Sequence, residues 1–190
     1  MTGQLRANWT RQIQLRTGGT ISLLVLAFGG GALGLAIAAE WAGLRFNDSP
    51  SMPTGLYVRT SAESIASLVV FCPAEPFARL SIERRYRSRG NCPDGAEPLA
   101  KPIVARPGDT VELAARGMAV NGRLLPNTAP LVKDAVGRPL HKWPFGRYVV
   151  APGVVWVASS YNSRSFDSRY FGPVDASQVR EYVRPLLTAR

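Results

Sequence analysis

The chain has 190 residues, a hydrophobic fraction of 46% and a formal charge of +10 at pH 7, which suits one domain with a sizeable core. The charge does not indicate a nucleic-acid-binding protein, because no nucleic-acid-binding motif accompanies it and the arginines are scattered, apart from Arg84, Arg85, Arg87 and Arg89. With one histidine, His141, and two cysteines, the sequence argues against a zinc site of protein ligands, and it indicates no cofactor.

The first predicted element is a long uncharged segment near the N-terminus. No charged residue lies within residues 17–39, and a helix of about 20 apolar residues crosses a bilayer. A cleavable signal peptide is the alternative, since Ala36-Ile37-Ala38 offers a small-residue cleavage site. Such peptides have apolar regions of only about 7–15 residues, so the length favours an uncleaved transmembrane anchor.

The charges around this segment predict its orientation. Arg6, Arg11 and Arg16 precede it, whereas only Arg45 lies close after it. By the positive-inside rule, residues 1–16 form a cytoplasmic tail and residues 40–190 lie across the membrane. A bacterial inner membrane would then place this domain in the periplasm, where a basic surface faces anionic lipid head groups.

The two cysteines, Cys72 and Cys92, are expected to form a disulfide, because the periplasm is oxidising. The alternative is a pair of buried free thiols. Between them, residues 77–89 have the apolar spacing of a short amphipathic helix that Gly90 would end. The segment 72–95 is therefore predicted to be a small helical insert closed by a disulfide.

Beyond the insert the sequence is typical of an all-β domain, with short apolar runs separated by Gly, Pro and Asn. Asn121-Gly122 is the preferred two-residue turn of a β-hairpin. The predicted strands are residues 68–71, 102–105, 110–113, 118–120, 123–125, 147–150 and 154–158. The predicted fold class is mainly β, an antiparallel domain with the helical insert and one N-terminal transmembrane helix.

Lysine is rare in this chain, so the position of each lysine is informative. Among 23 basic residues only Lys101, Lys133 and Lys142 are lysines. Lys101 begins a strand whose alternate positions, Ile103 and Ala105, are apolar, so its side chain is expected on their buried face. Burial lowers the pKa of a lysine and makes it a usable base near neutral pH. Taken alone, Lys101 fits a surface lysine at a strand end better than a buried base.

Three sequence motifs resolve this ambiguity. Residues 49–55 read Ser-Pro-Ser-Met-Pro-Thr-Gly; Lys101 stands six residues before Pro107-Gly108-Asp109; and residues 165–172 read Ser-Phe-Asp-Ser-Arg-Tyr-Phe-Gly. In this order they resemble the bacterial signal peptidase I family, and the resemblance covers about residues 40–180. It implies a serine endopeptidase with Ser51 as the nucleophile and Lys101 as the general base.

The resemblance implies supporting roles for four further residues. Ser49 matches the position whose hydroxyl joins the Ser51 amide in the oxyanion hole. Ser165 matches a position that orients the lysine amine by a hydrogen bond. Asp167 and Arg169 match a pair beside the active site, in which the aspartate is either catalytic or part of a structural salt bridge.

Within the family, the chain most resembles the TraF-type pilin-maturation peptidases of conjugal transfer. Three features carry this resemblance: the sequence Ser-Met-Pro-Thr-Gly-Leu-Tyr at residues 51–57, the short length of the chain, and the insert flanked by cysteines. Two features depart from the housekeeping branch. Pro102 follows Lys101 where arginine is usual, and residues 159–162 read Ser-Ser-Tyr-Asn in place of Gly-Asp-Asn-Arg.

The expected partners are the bilayer and a membrane-tethered precursor, either a pilin or a secretory pre-protein; no nucleic acid is expected. The acyl-enzyme would be released by water or by a substrate's own amine, which would cyclise the product. A housekeeping signal peptidase and a non-enzymatic membrane-anchored scaffold of a secretion apparatus are the alternatives. A soluble repressor-type Ser/Lys autoprotease fits less well, because this chain carries an anchor.

Overall fold

The computed structural model describes residues 29–61 and 68–189. The chain divides into two units, Met1–Leu44 and Arg45–Arg190. In the first, residues 29–41 are helical (α1), with Leu33, Leu35 and Trp41 exposed. Within the described ranges, no helix is both long and apolar enough to qualify as a membrane span. Residues 17–28 of the predicted anchor lie outside the described residues, whereas residues 29–39 fall within α1.

The second unit is built on a large antiparallel sheet. Its seven strands lie in the order β1-β2-β11-β3-β4-β9-β10. In chain order they are β1 (Leu44–Asn47), β2 (Gly55–Thr60), β3 (Leu68–Phe71), β4 (Leu99–Ala105), β9 (Val154–Val157), β10 (Val174–Asp175) and β11 (Val179–Thr188). The strand after the predicted nucleophile, β2, is thus separated from β4, which carries Lys101, by only two strands.

A smaller sheet contains the middle of the chain. Its order is β7-β6-β5-β8, with β5 (Thr110–Ala114), β6 (Gly117–Val120), β7 (Arg123–Leu124) and β8 (Gly146–Val149). Asn121 and Gly122 join β6 to β7 with φ of 50° and 81°. Two positive values fit the type I′ turn that the Asn-Gly pair predicts.

Three apolar clusters stabilise the two sheets. The first lies between β5, β6 and the end of β9, and its largest member is Trp156. The second packs Phe71 and Val157 of the large sheet against Phe171. The third joins Met52 and Tyr57 to Leu68 and Val183. Met52, the residue that follows Ser51, is thereby buried in the core.

The mainly antiparallel β fold is confirmed, with each predicted strand reproduced to within a few residues. Four strands were not predicted: β1, β2, β10 and β11. A one-turn helix, α3 (Ser168–Phe171), and a 3-10 turn, Ala176–Gln178, were also not predicted.

The predicted disulfide is confirmed, because Cys72 and Cys92 are joined. The helix that it encloses, α2 (Phe77–Glu83), is shorter than the predicted residues 77–89, and Gly90 does not end it. The helix ends in a Schellman motif: the Tyr86 amide donates to the Ser81 carbonyl at 2.8 Å and the Arg85 amide to that of Ile82 at 2.9 Å. Arg85 takes the positive φ, 57°, that glycine usually supplies there.

The early end of α2 turns Arg87 inward. Its guanidinium is bonded to Asp94 and to Ser81 Oγ, 2.7 Å away, and it also donates to the carbonyls of Ala78 and Glu97. A continued helix would present Arg87 elsewhere and leave the Asp94 carboxylate without this partner. The buried ion pair therefore explains why the helical pattern stops where it does.

Candidate active site

Lys101 lies in the middle of β4, not at its start. It pairs with Val69 of β3, and its side chain is buried. The predicted alternation does not extend to Ala105, because the register of β4 against β9 shifts between Ile103 and Ala105, and Ala105 packs with Trp156 in another cluster. Lys101 is 5% exposed, whereas Lys133 is exposed and Lys142 half-buried. Of the three lysines, Lys101 alone is removed from solvent.

Ser51 and Lys101 meet across 50 residues of sequence. Lys101 Nζ lies 2.7 Å from Ser51 Oγ in a buried hydrogen bond, and Ser51 is 6% exposed. A nucleophile and its base must lie within about 2.6–3.2 Å of each other for direct proton transfer. The fold therefore brings together the two residues that the motifs single out, at reacting distance.

The environment of Lys101 lowers the pKa of its amine from 10.5 to about 8. Burial is the main cause, because the charged form loses its hydration. The carboxylate of Asp167 raises the pKa and the guanidinium of Arg169 lowers it. At pH 7 roughly a tenth of the amine is then neutral, compared with less than about a thousandth for an exposed lysine.

The loop that carries Ser51 is fixed from two sides. Asn47, the last residue of β1, directs its Nδ2 at the carbonyl oxygens of Ser49, Met52 and Pro53, at 3.1, 3.5 and 3.3 Å. Tyr57 of β2 donates its hydroxyl to the Pro53 carbonyl at 2.6 Å. Two side chains on neighbouring strands thus replace the regular pairing that a loop lacks. Neither Asn47 nor Tyr57 was predicted as a site residue.

Ser49 lies beside Ser51, the predicted nucleophile. Its Oγ is 3.4 Å from the Ser51 amide, which donates to it. This separation is longer than the usual 2.9–3.0 Å, roughly, of an N–H···O bond, so the amide is weakly engaged. A hydroxyl and an amide this close can both donate to one developing oxyanion.

Asp167 and Arg169 form an ion pair with no exposed surface. Arg169 Nε lies 2.7 Å from Asp167 Oδ1, and Nη2 lies 2.8 Å from Oδ2. Two parallel bonds of this kind fix the planes of both groups. The remaining guanidinium hydrogens point at backbone carbonyl oxygens, those of Asn127, Ala129, Ser163 and Ser165. The pair holds the loops around the site together.

The predicted hydrogen bond from Ser165 to the lysine amine is not formed. Ser165 Oγ is buried and has no hydrogen-bond partner among the residues that the structure describes. The carbonyl of the same residue is bound by Arg169 Nη2 at 2.9 Å, which fixes the backbone but leaves the hydroxyl free. Lys101 Nζ is instead engaged by Ser51 Oγ.

Ser159 is a site residue that the sequence analysis missed. It follows the buried Ala158, whose amide donates to the Pro102 carbonyl at 3.1 Å, next to Lys101 in β4. Its Oγ donates to the Ser51 carbonyl at 2.6 Å, and its amide donates to Asp167 Oδ2 at 3.1 Å. The departure from Gly-Asp-Asn-Arg at residues 159–162 was the only sequence signal that pointed to it.

A comparison with known families agrees with this arrangement. The profile of the family described as signal peptidase, peptidase S26, matches residues 23–185. The chain belongs to this family. The match includes all of the residues assembled around Ser51 and Lys101, and it extends into the segment predicted as an anchor.

Among its relatives are plasmid and conjugal transfer proteins. The chain is 39% identical over 163 residues to the plasmid transfer protein TraF of Escherichia coli, covering 84% of this chain and 92% of the relative. It is 37% identical over 163 residues to a probable conjugal transfer protein TraF of Sinorhizobium fredii, covering 83% and 84%. The TraF-type resemblance is thereby confirmed.

A solved structure is also similar. It is the crystal structure of a signal peptidase I from Enterococcus faecalis, with a TM-score of 0.34 and 20% identity. The similarity covers 64% of this chain and 96% of that one.

Proposed function

We propose that this chain is a membrane-anchored serine endopeptidase in which Ser51 is the nucleophile and Lys101 the general base. The observation that carries the proposal is the 2.7 Å hydrogen bond between Ser51 Oγ and Lys101 Nζ, in a buried site where the pKa of the lysine falls to about 8. A signal-peptidase family member needs one activated nucleophile and one base, and these two side chains meet both requirements.

In the proposed mechanism, neutral Lys101 takes the Ser51 proton as Oγ attacks the scissile carbonyl. The Ser51 amide and the Ser49 hydroxyl donate to the resulting oxyanion, and one such donor contributes roughly 2.7–4 kcal/mol in the transition state. Protonated Lys101 then gives its proton to the leaving amine, and an ester on Ser51 remains. Water, or an amine of the substrate itself, attacks this ester and regenerates Ser51.

The proposed substrate is a membrane-tethered precursor, a conjugative pilin in particular. The names of the relatives, which describe plasmid and conjugal transfer, support this assignment. In the proposed topology residues 17–39 form the anchor and residues 1–16 a cytoplasmic tail. The catalytic domain would lie in the periplasm, in which a Cys72–Cys92 disulfide is stable. Ser51 would then act about a dozen residues from the anchor, close to the bilayer surface.

The test is processing of a conjugative pilin precursor that is co-expressed with this chain, in membranes carrying the wild type, Ser51→Ala or Lys101→Ala. Intact mass of the product distinguishes the two outcomes of acyl transfer, because a cyclic product weighs one water less than the linear one. We expect product from the wild type only. Ser163→Ala, an exposed serine, is the matched control and should process normally.

Normal processing by both the Ser51 and the Lys101 variants would contradict the catalytic assignment and favour an anchored scaffold. Rescue of a strain depleted of its own signal peptidase would instead favour the housekeeping role. The two experiments separate the chemistry of the site from the identity of its substrate.

A further inference from the structure

The Ser159 side chain lies at the contact between the nucleophile loop and the Asp167–Arg169 pair. It is fully buried, and its Oγ donates to the Ser51 carbonyl across 108 residues of sequence at 2.6 Å. The same Oγ accepts hydrogen bonds from the amides of Tyr161 and Asn162, both at 3.2 Å. No other described side chain donates to the Ser51 carbonyl among the hydrogen bonds of the structure.

These three hydrogen bonds use the full capacity of the hydroxyl. A serine Oγ has one hydrogen to donate and two lone pairs to accept with. Both acceptor positions are taken by amides of the following turn, so the single proton can point only toward Ser51. The hydroxyl is therefore held by its own loop in one orientation, with no group left for proton transfer or for attack on a substrate.

The contact fixes the nucleophile through its backbone. The hydrogen bond that the Ser51 carbonyl accepts restrains the ψ angle of Ser51. The hydrogen bond from the Ser51 amide to Ser49 Oγ restrains its φ angle. With φ and ψ fixed, the direction of the Cα–Cβ bond is fixed as well, and only χ1 remains to place Oγ. The 2.7 Å bond to Lys101 then selects χ1.

The other end of Ser159 is equally well anchored. Its amide donates to Asp167 Oδ2 at 3.1 Å, and that carboxylate is held by Arg169 through two bonds. Ser159 thus connects the buried Asp167–Arg169 ion pair to the peptide group of Ser51 through two hydrogen bonds.

We propose that Ser159 is a positioning residue, which sets the geometry of Ser51 for attack through its hydrogen bond to the Ser51 carbonyl. The proposal rests on the proposed peptidase function. It assigns to Ser159 a role in the rate of acylation and none in substrate binding or in proton transfer. A displacement of the nucleophile by about 1 Å lowers a rate by roughly 10²-fold, so loss of one such bond has a measurable effect.

The test compares Ser159→Ala with wild-type protein, using a peptide that spans the junction located by the mass experiment. We expect kcat to fall about 10- to 100-fold with KM within about twofold, since a positioning defect affects the transition state and not binding. The midpoint of the pH profile should stay that of the wild type, because the groups around Lys101 are unchanged. Ser163→Ala, an exposed serine in the same loop, should match the wild type in all three.

A second variant addresses folding. Ser159→Cys replaces the hydroxyl with a somewhat larger thiol that is a weaker hydrogen-bond donor, and we expect a kcat between those of the wild type and Ser159→Ala. Wild-type kcat in a folded Ser159→Ala would overturn the proposal, and so would a shifted pH midpoint, which would assign Ser159 to the lysine. An unfolded Ser159→Ala with a fully active Ser159→Cys would assign Ser159 to stability alone.

The same assay separates this proposal from the one on which it rests. Inactive Ser51→Ala and Lys101→Ala with a fully active Ser159→Ala would overturn only the role of Ser159. Activity in all three variants would overturn the catalytic assignment and the positioning role together.

Discussion

The carboxylate of Asp167 and the guanidinium of Arg169 are bonded to each other with no exposed surface, and they act on the Lys101 amine in opposite directions. Burial sets the main effect, lowering the pKa of Lys101 to about 8, while Asp167 raises it and Arg169 lowers it. The two charges therefore oppose each other in their effect on the pKa of Lys101, while the hydrogen bonds of the pair hold the surrounding loops.

Neutralising the aspartate should disturb this balance. In Asp167→Asn the charge that raises the pKa of Lys101 is gone and Arg169 remains, so we expect the pH midpoint of kcat/KM to fall below that of the wild type. The measurement is a pH profile with the junction peptide. Glu83→Gln, which neutralises an exposed carboxylate at the end of α2, is the control and should leave the midpoint unchanged. A raised midpoint would contradict the assignment of signs.

The wild-type pH profile is itself a prediction. If neutral Lys101 is the base, kcat/KM should rise about tenfold per pH unit at low pH and level off near the lysine pKa of about 8. Lys101→Arg should be inactive at every pH, because arginine does not lose its proton in proteins. A flat profile between pH 6 and 9, roughly, would be incompatible with lysine as the base.

Lys101 should also make folding stability depend on pH. Its pKa is about 8 in the folded chain and 10.5 when exposed, so the unfolded state binds more protons between these values. Stability should therefore rise with pH across this window, by about 2 kcal/mol between pH 7.5 and 9.5. Urea unfolding of the wild type and of Lys101→Met measures this, and the difference between them isolates the lysine. Equal slopes in the two proteins would refute the prediction.

Removing one partner of the buried ion pair should destabilise the protein strongly. Asp167→Ala leaves the Arg169 charge buried without its carboxylate and removes the acceptor of the Ser159 amide. We expect a loss of about 3–5 kcal/mol in the free energy of unfolding. Glu112→Ala, which breaks the exposed pair with Arg116, should cost less than about 1 kcal/mol. Comparable losses in the two variants would show that burial does not matter here.

The disulfide should contribute stability without affecting the chemistry. Cys72 and Cys92 are 20 residues apart, and a cross-link of that span stabilises by about 3 kcal/mol in the chain-entropy model. The double variant Cys72→Ser/Cys92→Ser should lose about this much in urea unfolding while retaining kcat under folding conditions. A large loss of kcat in the folded variant would instead link the insert to the site.

The sequence was informative where a residue's own chemistry dictates its place. The scarcity of lysine and the alternation around Lys101 indicated a buried amine, and the Asn-Gly pair indicated its hairpin. The strand β11 was not predicted because Pro185 and the charged residues Arg180 and Glu181 interrupt the apolar pattern expected of a strand. The structure accommodates Pro185 beyond Val183, where the described pairing with β3 ends, and next to a register shift against β2.

Contacts between distant segments were beyond the reach of local patterns. The proposed role of Ser159 depends on a carbonyl 108 residues away, and the contacts of Asn47 are with three carbonyls of a loop. The end of α2 at Glu83 depends on the buried partners of Arg87, whereas the helical periodicity of the sequence continues to Tyr86. In each case tertiary contacts, and not propensity, decide the outcome.

The strand order β1-β2-β11 has a consequence for the timing of biosynthesis. The strand that follows the Ser51 loop, β2, obtains its inner neighbour from Val179–Thr188, and the Ala189 amide donates to the Thr54 carbonyl at 2.8 Å. The sheet around Ser51 therefore lacks the strand between β2 and β3 until residues Val179–Thr188 have been synthesised. If the proposed function holds, a nascent chain that still lacks β11 should therefore have no peptidase activity.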